Sequence, residues 1–343
     1  MRKILITLAL VVLLASTVTA CAKTTSIPTP APEAVSWSLY SYVSRSHSFC
    51  KELITFAEDV EAKSGGRLKI RVFGVDEITY KGTEFLRLLR DGSVESAQVL
   101  GPYVAGDAPM IVGPALPFLN PTRKYQATLK MADALGDLLE DSLGAWNSVV
   151  VGRWTYPEQN IWLAKPINTV AELKGLKIRT YGPDITAALE ALGAAGVTMA
   201  AGEVYTALQR GVMDGAYTAP VTMLTMSWNE VCKQGWRTKA AYPVDRLLVN
   251  KQSWDALSPE LQQIVRDCTV ALAEREQSYS VGAVLNGQLD ELKAAGMDIR
   301  EVSDAEYEEM AGMAKSAWHA WAKRTPNGEE GLKRMAEAVG RKL

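Results

Sequence analysis

Leu68-Lys69-Ile70-Arg71 recurs as Leu176-Lys177-Ile178-Arg179, and a glycine precedes each copy, in Gly65-Gly66-Arg67 and in Lys174-Gly175. A second phrase trails each. Leu89-Arg90-Asp91-Gly92-Ser93-Val94-Glu95-Ser96-Ala97 follows the first, and Leu208-Gln209-Arg210-Gly211-Val212-Met213-Asp214-Gly215-Ala216 follows the second. Both pairs read as a strand, then a helix ending in glycine, then a new strand. The chain is thus expected to hold two α/β lobes on one plan, each a sheet flanked by helices. Two such lobes make a cleft between them.

Outward from these phrases the pattern stays β–α. Val35–Val43 alternates as a strand, Ser48 stands where a cap would precede the helix Phe49–Lys63, and Tyr125–Leu143 reads as one helix. Ser148–Trp154 reads as a strand running towards the second lobe, and Arg246–Asn250 as a strand returning to the first. Ser258-Pro259-Glu260-Leu261 is a helix start with Pro at the first helical position, leading into either one long helix or a broken pair over Glu260–Ala294. Ser303–Lys323 and Glu329–Val339 are amphipathic and close the chain. The expected domain limits are 35–156 with 245–284 for lobe I, 157–244 with 285–312 for lobe II, and 313–343 as C-terminal helices packing across the lobes.

Residues 1–20 read as a signal peptide: Arg2 and Lys3 lead an apolar run, Ile4–Leu14, shorter than the about 20 residues a membrane span needs. Val18-Thr19-Ala20-Cys21 suits ordinary signal peptidase and also a lipobox that would acylate Cys21, although Val18 stands where leucine is usual. Residues 21–34, rich in Pro, Thr and Ala, read as a tether between a lipid anchor and a folded body. The tether favours a lipid-anchored form, through Cys21, over free export, and either places the protein outside the cytoplasm, in the periplasm. Taking Arg2 and Lys3 away with the leader leaves 35 Lys+Arg of the 37 against 39 Asp+Glu, a net charge of −4. No basic run stands out, which argues against nucleic acid as a partner. Cys50, Cys232 and Cys268 would remain beside a lipidated Cys21, room for at most one disulfide, with buried free thiols the plainer reading.

Catalytic equipment is sparse. His47 and His319 are the two histidines, and no His-Glu-x-x-His, Cys-x-x-Cys, Gly-x-Ser-x-Gly or Walker loop occurs. No metal cluster or cofactor fingerprint is visible. A two-lobed exported chain of this kind points to binding in the cleft, at the carboxyl ends of strands.

The segment Lys174–Gly215 carries a more specific signal. Lys174-Gly175-Leu176-Lys177-Ile178-Arg179, then Gly193, then Glu203-Val204-Tyr205-Thr206-Ala207-Leu208-Gln209-Arg210-Gly211-Val212-Met213-Asp214-Gly215, closely resembles the solute-binding proteins of tripartite ATP-independent periplasmic (TRAP) transporters. The resemblance extends through Phe56–Phe73, Leu116-Pro117-Phe118 and Ser258–Gln262, covering about residues 35–340. It implies a periplasmic-binding-protein fold that closes on a small organic acid and delivers it to TRAP membrane permease subunits.

The same resemblance implies that Arg179 meets the ligand carboxylate, and a guanidinium's paired donors match a carboxylate's two oxygens. The competing reading pairs Arg179 with Asp184, as Arg71 is expected to pair with an acid in lobe I. Other expected contacts are Thr218, Gln159, Gly182, and Leu100 with Tyr103 on the wall of lobe I. Arg45 could supply a second cation. Trp154, Tyr217 and Trp228 flank the same loops, and whether the tryptophans are core or platform stays open. Thr218 and Gln159 stand where many members carry Asn and a second Arg, which hints at a less polar acid, aromatic or branched. A ligand-presenting subunit of a membrane sensor, or a two-lobed enzyme using Glu158 as acid or base, are the alternatives.

Overall fold

The computed structural model describes residues 34–343. The signal peptide, Cys21 and all but the last residue of the tether lie outside the described residues. Within them the fold is α/β with two mixed sheets.

In the first half of the chain come β1 (Val35–Tyr40), α1 (Ser48–Lys63), β2 (Leu68–Phe73), α2 (Phe85–Arg90), β3 (Ser96–Leu100), α3 (Tyr125–Leu135), α4 (Asp137–Gly144) and β4 (Ser148–Thr155). The chain goes on through β5 (Asn160–Leu163), β6 (Lys177–Thr180), α5 (Pro183–Ala191), β7 (Ala195–Thr198), α6 (Ala201–Gln209), β8 (Gly215–Thr218), α7 (Pro220–Thr225), β9 (Gln234–Arg237) and β10 (Val244–Asn250). It closes with α8 (Lys251–Asp255), α9 (Pro259–Ser278), α10 (Gly282–Ala294), β11 (Asp298–Glu301), α11 (Asp304–Arg324) and α12 (Gly328–Val339).

The first sheet runs β2-β1-β3-β10-β4 and the second β11-β9-β5-β8-β6-β7. In each sheet the repeated phrase forms a parallel strand, β2 beside β1 and β6 beside β7 and β8. β10 lies antiparallel between β3 and β4, so the chain returns to the first sheet after building most of the second. Trp37 and Leu39 of β1 alternate into a core shared with Leu53, Phe56 and Val60 of α1, the stripe that a 3.6-residue period requires.

Several expected details differ. β1 stops at Tyr40, leaving Tyr42 and Val43 in a loop. The α1 cap is His47 rather than Ser48: its Nδ1 accepts from the Phe49 N–H at 3.2 Å. The helix expected over Tyr125–Leu143 is broken at Gly136, whose φ of 44° lies where only glycine is comfortable. Glu260–Ala294 is a broken pair, α9 and α10. The short strands β9 and β11 and the helix α7 were not expected. The amphipathic helix expected over Ser303–Lys323 is present as α11, with Ser303 and Glu306 making a capping box. Cys50, Cys232 and Cys268 are buried free thiols.

Besides the helical passage through α8, α9 and α10, two short connections pass between the sheets, Tyr156–Gln159 and Thr238–Pro243. They run side by side, joined where Tyr156 N–H donates to Pro243 O at 2.7 Å, Gln159 N–H to Ala241 O at 2.9 Å and Ala240 N–H to Gln159 O at 2.9 Å. α11 packs on α5 and α12 packs on α3. Arg324 pairs with Asp184 and Arg123 with Asp304, while the Trp318 and Trp321 indoles donate to the Pro117 and Pro109 carbonyls at 2.8 and 2.9 Å.

Candidate functional site

The residues just past the strand ends of both sheets converge. Tyr42 follows β1, Tyr103 follows β3, Tyr156 follows β4, Tyr181 follows β6, and Thr218 ends β8. Together with Arg179 they line a cavity of about 270 Å³. Leu100, Gln159 and Met226 complete much of its wall.

Among the described residues that line the cavity, Arg179 is the one formal cation. The side chain is 4 % exposed, and Nε donates to Met199 O at 3.0 Å. Its guanidinium carbon sits 5.3 Å from the ring centroids of both Tyr181 and Trp228, so aromatic faces support its charge. Among the described residues no carboxylate pairs with it, and its terminal nitrogens make no hydrogen bond to the protein. Burial lowers its pKa, and an arginine remains cationic at neutral pH regardless. Asp184, the alternative partner, is held by Arg324 instead. Arg246, also wholly buried and without an acid partner, differs in kind: it donates to the Ile111 and Val244 carbonyls inside the first sheet and does not line the cavity.

The polar groups around Arg179 are held by chains of hydrogen bonds. Tyr181 Oη donates to Gln159 Oε1 at 2.8 Å, and Gln159 Nε2 donates to Pro157 O at 2.8 Å. Tyr42 Oη donates to Asp245 Oδ2 at 2.7 Å, which also accepts from Gln98 Nε2 at 3.1 Å, and Gln98 Oε1 accepts from Ser41 Oγ at 2.7 Å. Burial pushes both phenols well above their ordinary range, so both keep their protons. Burial likewise raises Asp245 to about 7, against the pull of its bonds from Tyr42 and Gln98. His47, another lining residue, is lowered to about 4 by burial and then by Lys51, so its ring is neutral at pH 7 with the proton on Nε2, since Nδ1 accepts from Phe49.

Of the expected contacts, Arg179, Thr218, Gln159, Tyr103 and Leu100 line this cavity, and five others do not. Arg45 is taken by a nearer acid, Glu77 Oε2 at 3.2 Å, and by Val72 O, with its side chain half exposed. Trp154 is buried in the first-sheet core, and Tyr217 is buried behind Tyr181, 6.1 Å ring to ring. Trp228 supports Arg179 from behind, and Gly182 caps α5 against the Pro102 carbonyl. Arg71 is exposed and lies over the Phe73 ring at 4.5 Å rather than in an ion pair. Glu158 is buried against the Arg237 guanidinium at 2.6 and 3.0 Å, outside the cavity. Sequence reasoning missed Tyr42, Tyr156, Tyr181 and His47. The signal for the tyrosines was there: each stands one or two residues past a strand's carboxyl end.

The model of the bacterial extracellular solute-binding protein, family 7, matches residues 40–325. A C4-dicarboxylate-binding periplasmic protein of Rhodobacter capsulatus is 28% identical over 291 residues, 83% of this chain and 81% of that one. A 2,3-diketo-L-gulonate-binding periplasmic protein of Escherichia coli is 28% identical over 290 residues, 82% of this chain and 85% of that one. Among solved structures, a Bordetella pertussis extracytoplasmic solute receptor binding pyroglutamic acid superposes with a TM-score of 0.80 at 27% identity, covering 89% of this chain and 99% of that one.

Proposed function

This chain belongs to the bacterial extracellular solute-binding proteins of family 7, and on that premise we propose that its cavity takes one small monocarboxylate for delivery to the membrane subunits of a TRAP transporter. One observation carries the ligand reading: a buried guanidinium, with no protein anion against it, opens onto the cavity between the lobes. An arginine so placed is stabilised by a carboxylate arriving from outside, because the two parallel N–H···O bonds form where water is excluded. A single cation favours a single negative charge. Four tyrosine rings on the walls favour an apolar or ring-shaped body, and a volume of about 270 Å³ favours a small one. The named ligands of the three relatives are all organic acids, which supports an acid ligand, although the Rhodobacter capsulatus protein is named for a dicarboxylate.

Lipid anchoring through Cys21, and lobe limits at 35–156 with 245–284 and 157–244 with 285–312, belong to the same proposal. Isothermal titration with a panel of small carboxylates tests it. The best ligand is expected to bind near micromolar, about −8 kcal/mol. Arg179→Ala is expected to weaken it about 100-fold or more, a few kcal/mol, with the circular dichroism of the protein unchanged. An Arg179→Ala variant that binds as tightly as the parent would overturn the assignment.

A further inference from the structure

The two phenols that face each other across the cavity have no choice about where their protons go. Pro157 O can only accept, so Gln159 must turn its Nε2 towards it and its Oε1 towards Tyr181; Tyr181 must therefore donate away from the cavity. On the opposite wall, Asp245 Oδ2 accepts from both Gln98 Nε2 and Tyr42 Oη. Should Asp245 take up a proton, the open place is Oδ1, which has no partner, and Tyr42 remains a donor to Oδ2. Of the other lining hydroxyls, Thr225 spends its proton on Val221 O at 2.9 Å, whereas those of Tyr103 and Thr218 have no acceptor among the described residues and stay free to donate to the carboxylate. What Tyr42 and Tyr181 present inward are oxygen lone pairs.

Resting on the monocarboxylate reading, we infer that the ligand carries, beside its carboxylate, a neutral N–H or O–H group that donates to Tyr42 Oη or Tyr181 Oη. A carboxyl, keto or ether oxygen at that place meets an oxygen lone pair and leaves both buried acceptors unpaired. A second carboxylate is the worst case. Sites built to pair a buried polar group reject analogues that lack the partner far more strongly than sites that read shape.

Two ligand pairs test this by titration calorimetry against the intact protein. Pyroglutamate is compared with its ring-oxygen isostere 5-oxotetrahydrofuran-2-carboxylate, and lactate with 2-methoxypropanoate; succinate serves as the dicarboxylate. In the parent protein, the donor-bearing acid of at least one pair is expected to bind at least tenfold tighter than its partner, with succinate weaker still. Tyr42→Phe or Tyr181→Phe, whichever removes the acceptor in use, is expected to shrink that ratio below about threefold. Equal affinities within both pairs in the parent protein overturn the inference without any variant, and so does a ratio that survives both substitutions. If none of the five acids binds, the monocarboxylate reading falls and takes this inference with it. If acids bind and are lost in Arg179→Ala, but without discrimination, only this inference falls.

Discussion

Asp245 is a single carboxyl whose burial should be readable in the stability of the whole protein. Its folded pKa of about 7 stands well above the ordinary aspartate value. Stability from this group is therefore full below about pH 4 and is lost as pH rises through about 7. His47 acts oppositely: its depressed pKa of about 4 makes stability rise with pH until the unfolded imidazole loses its proton near 6.5. The Asp245 loss runs from about pH 4 to about 7, and the His47 gain offsets it up to about 6.5, so a variant that removes one group alone is needed to separate them. An amide in place of this carboxyl would resemble the protonated acid, its oxygen still accepting from Tyr42 and Gln98. Asp245→Asn is thus expected to match the parent in stability near pH 4, to exceed it already at pH 5, and to lead it at pH 8 by on the order of 4 kcal/mol at most, with a correspondingly higher Tm. Thermal unfolding followed by circular dichroism across that range checks it; parallel Tm curves for the two proteins would refute the account. Glu276, buried and also raised, adds a slope of the same sign that the substitution leaves in place.

At the scale of elements, the closest approach is where α9 lies on β4. A Cβ on Gly152 would fall 1.9 Å from the Thr269 methyl, and Thr269 cannot turn away freely because its hydroxyl donates to Val265 O at 2.7 Å. Gly152→Ala is expected to lower stability by about 1–3 kcal/mol in a urea titration. Thr269→Ser in the same chain is expected to recover part of the loss, a coupling that independent sites would not show. The doubled Leu-Lys-Ile-Arg phrase made the two parallel strands and their lobes legible in sequence, because alternation and a glycine stop are local properties. β9 and β11 were not legible: four-residue strands, one at the sheet edge and one beside it, carry too little alternation, and tertiary pairing decides them. The single helix expected over Tyr125–Leu143 failed at Gly136 because the apolar stripe runs through the break unchanged. Arg179 was legible through a family motif. Arg45 was misplaced because Glu77, thirty-two residues on, reaches it first, a competition that spacing alone does not reveal.

For the whole molecule, the cavity draws on both sheets and on the connections between them, so binding should act on global unfolding. A ligand at 100 times its Kd adds about 2.7 kcal/mol to stability. For a folded body of this size that corresponds to a Tm rise of roughly 4 °C. A thermal-shift screen over aliphatic, hydroxy, sugar and cyclic acids is expected to show it for the true ligand and to show no shift with Arg179→Ala; a shift of equal size in that variant would place the binding elsewhere.

The paired connections have a last consequence. Tyr156 and Gln159 stand on the very strands about which the halves of the molecule would swing, and Gln159 sets the direction of the Tyr181 proton. Any rotation there parts Tyr42 and Tyr103, which follow strands of the first sheet, from Arg179, Tyr181 and Thr218 on the second, so an opened receptor keeps the guanidinium side of its grip. Whatever pries the halves apart then strips away the first-sheet wall and leaves the solute on its anchor.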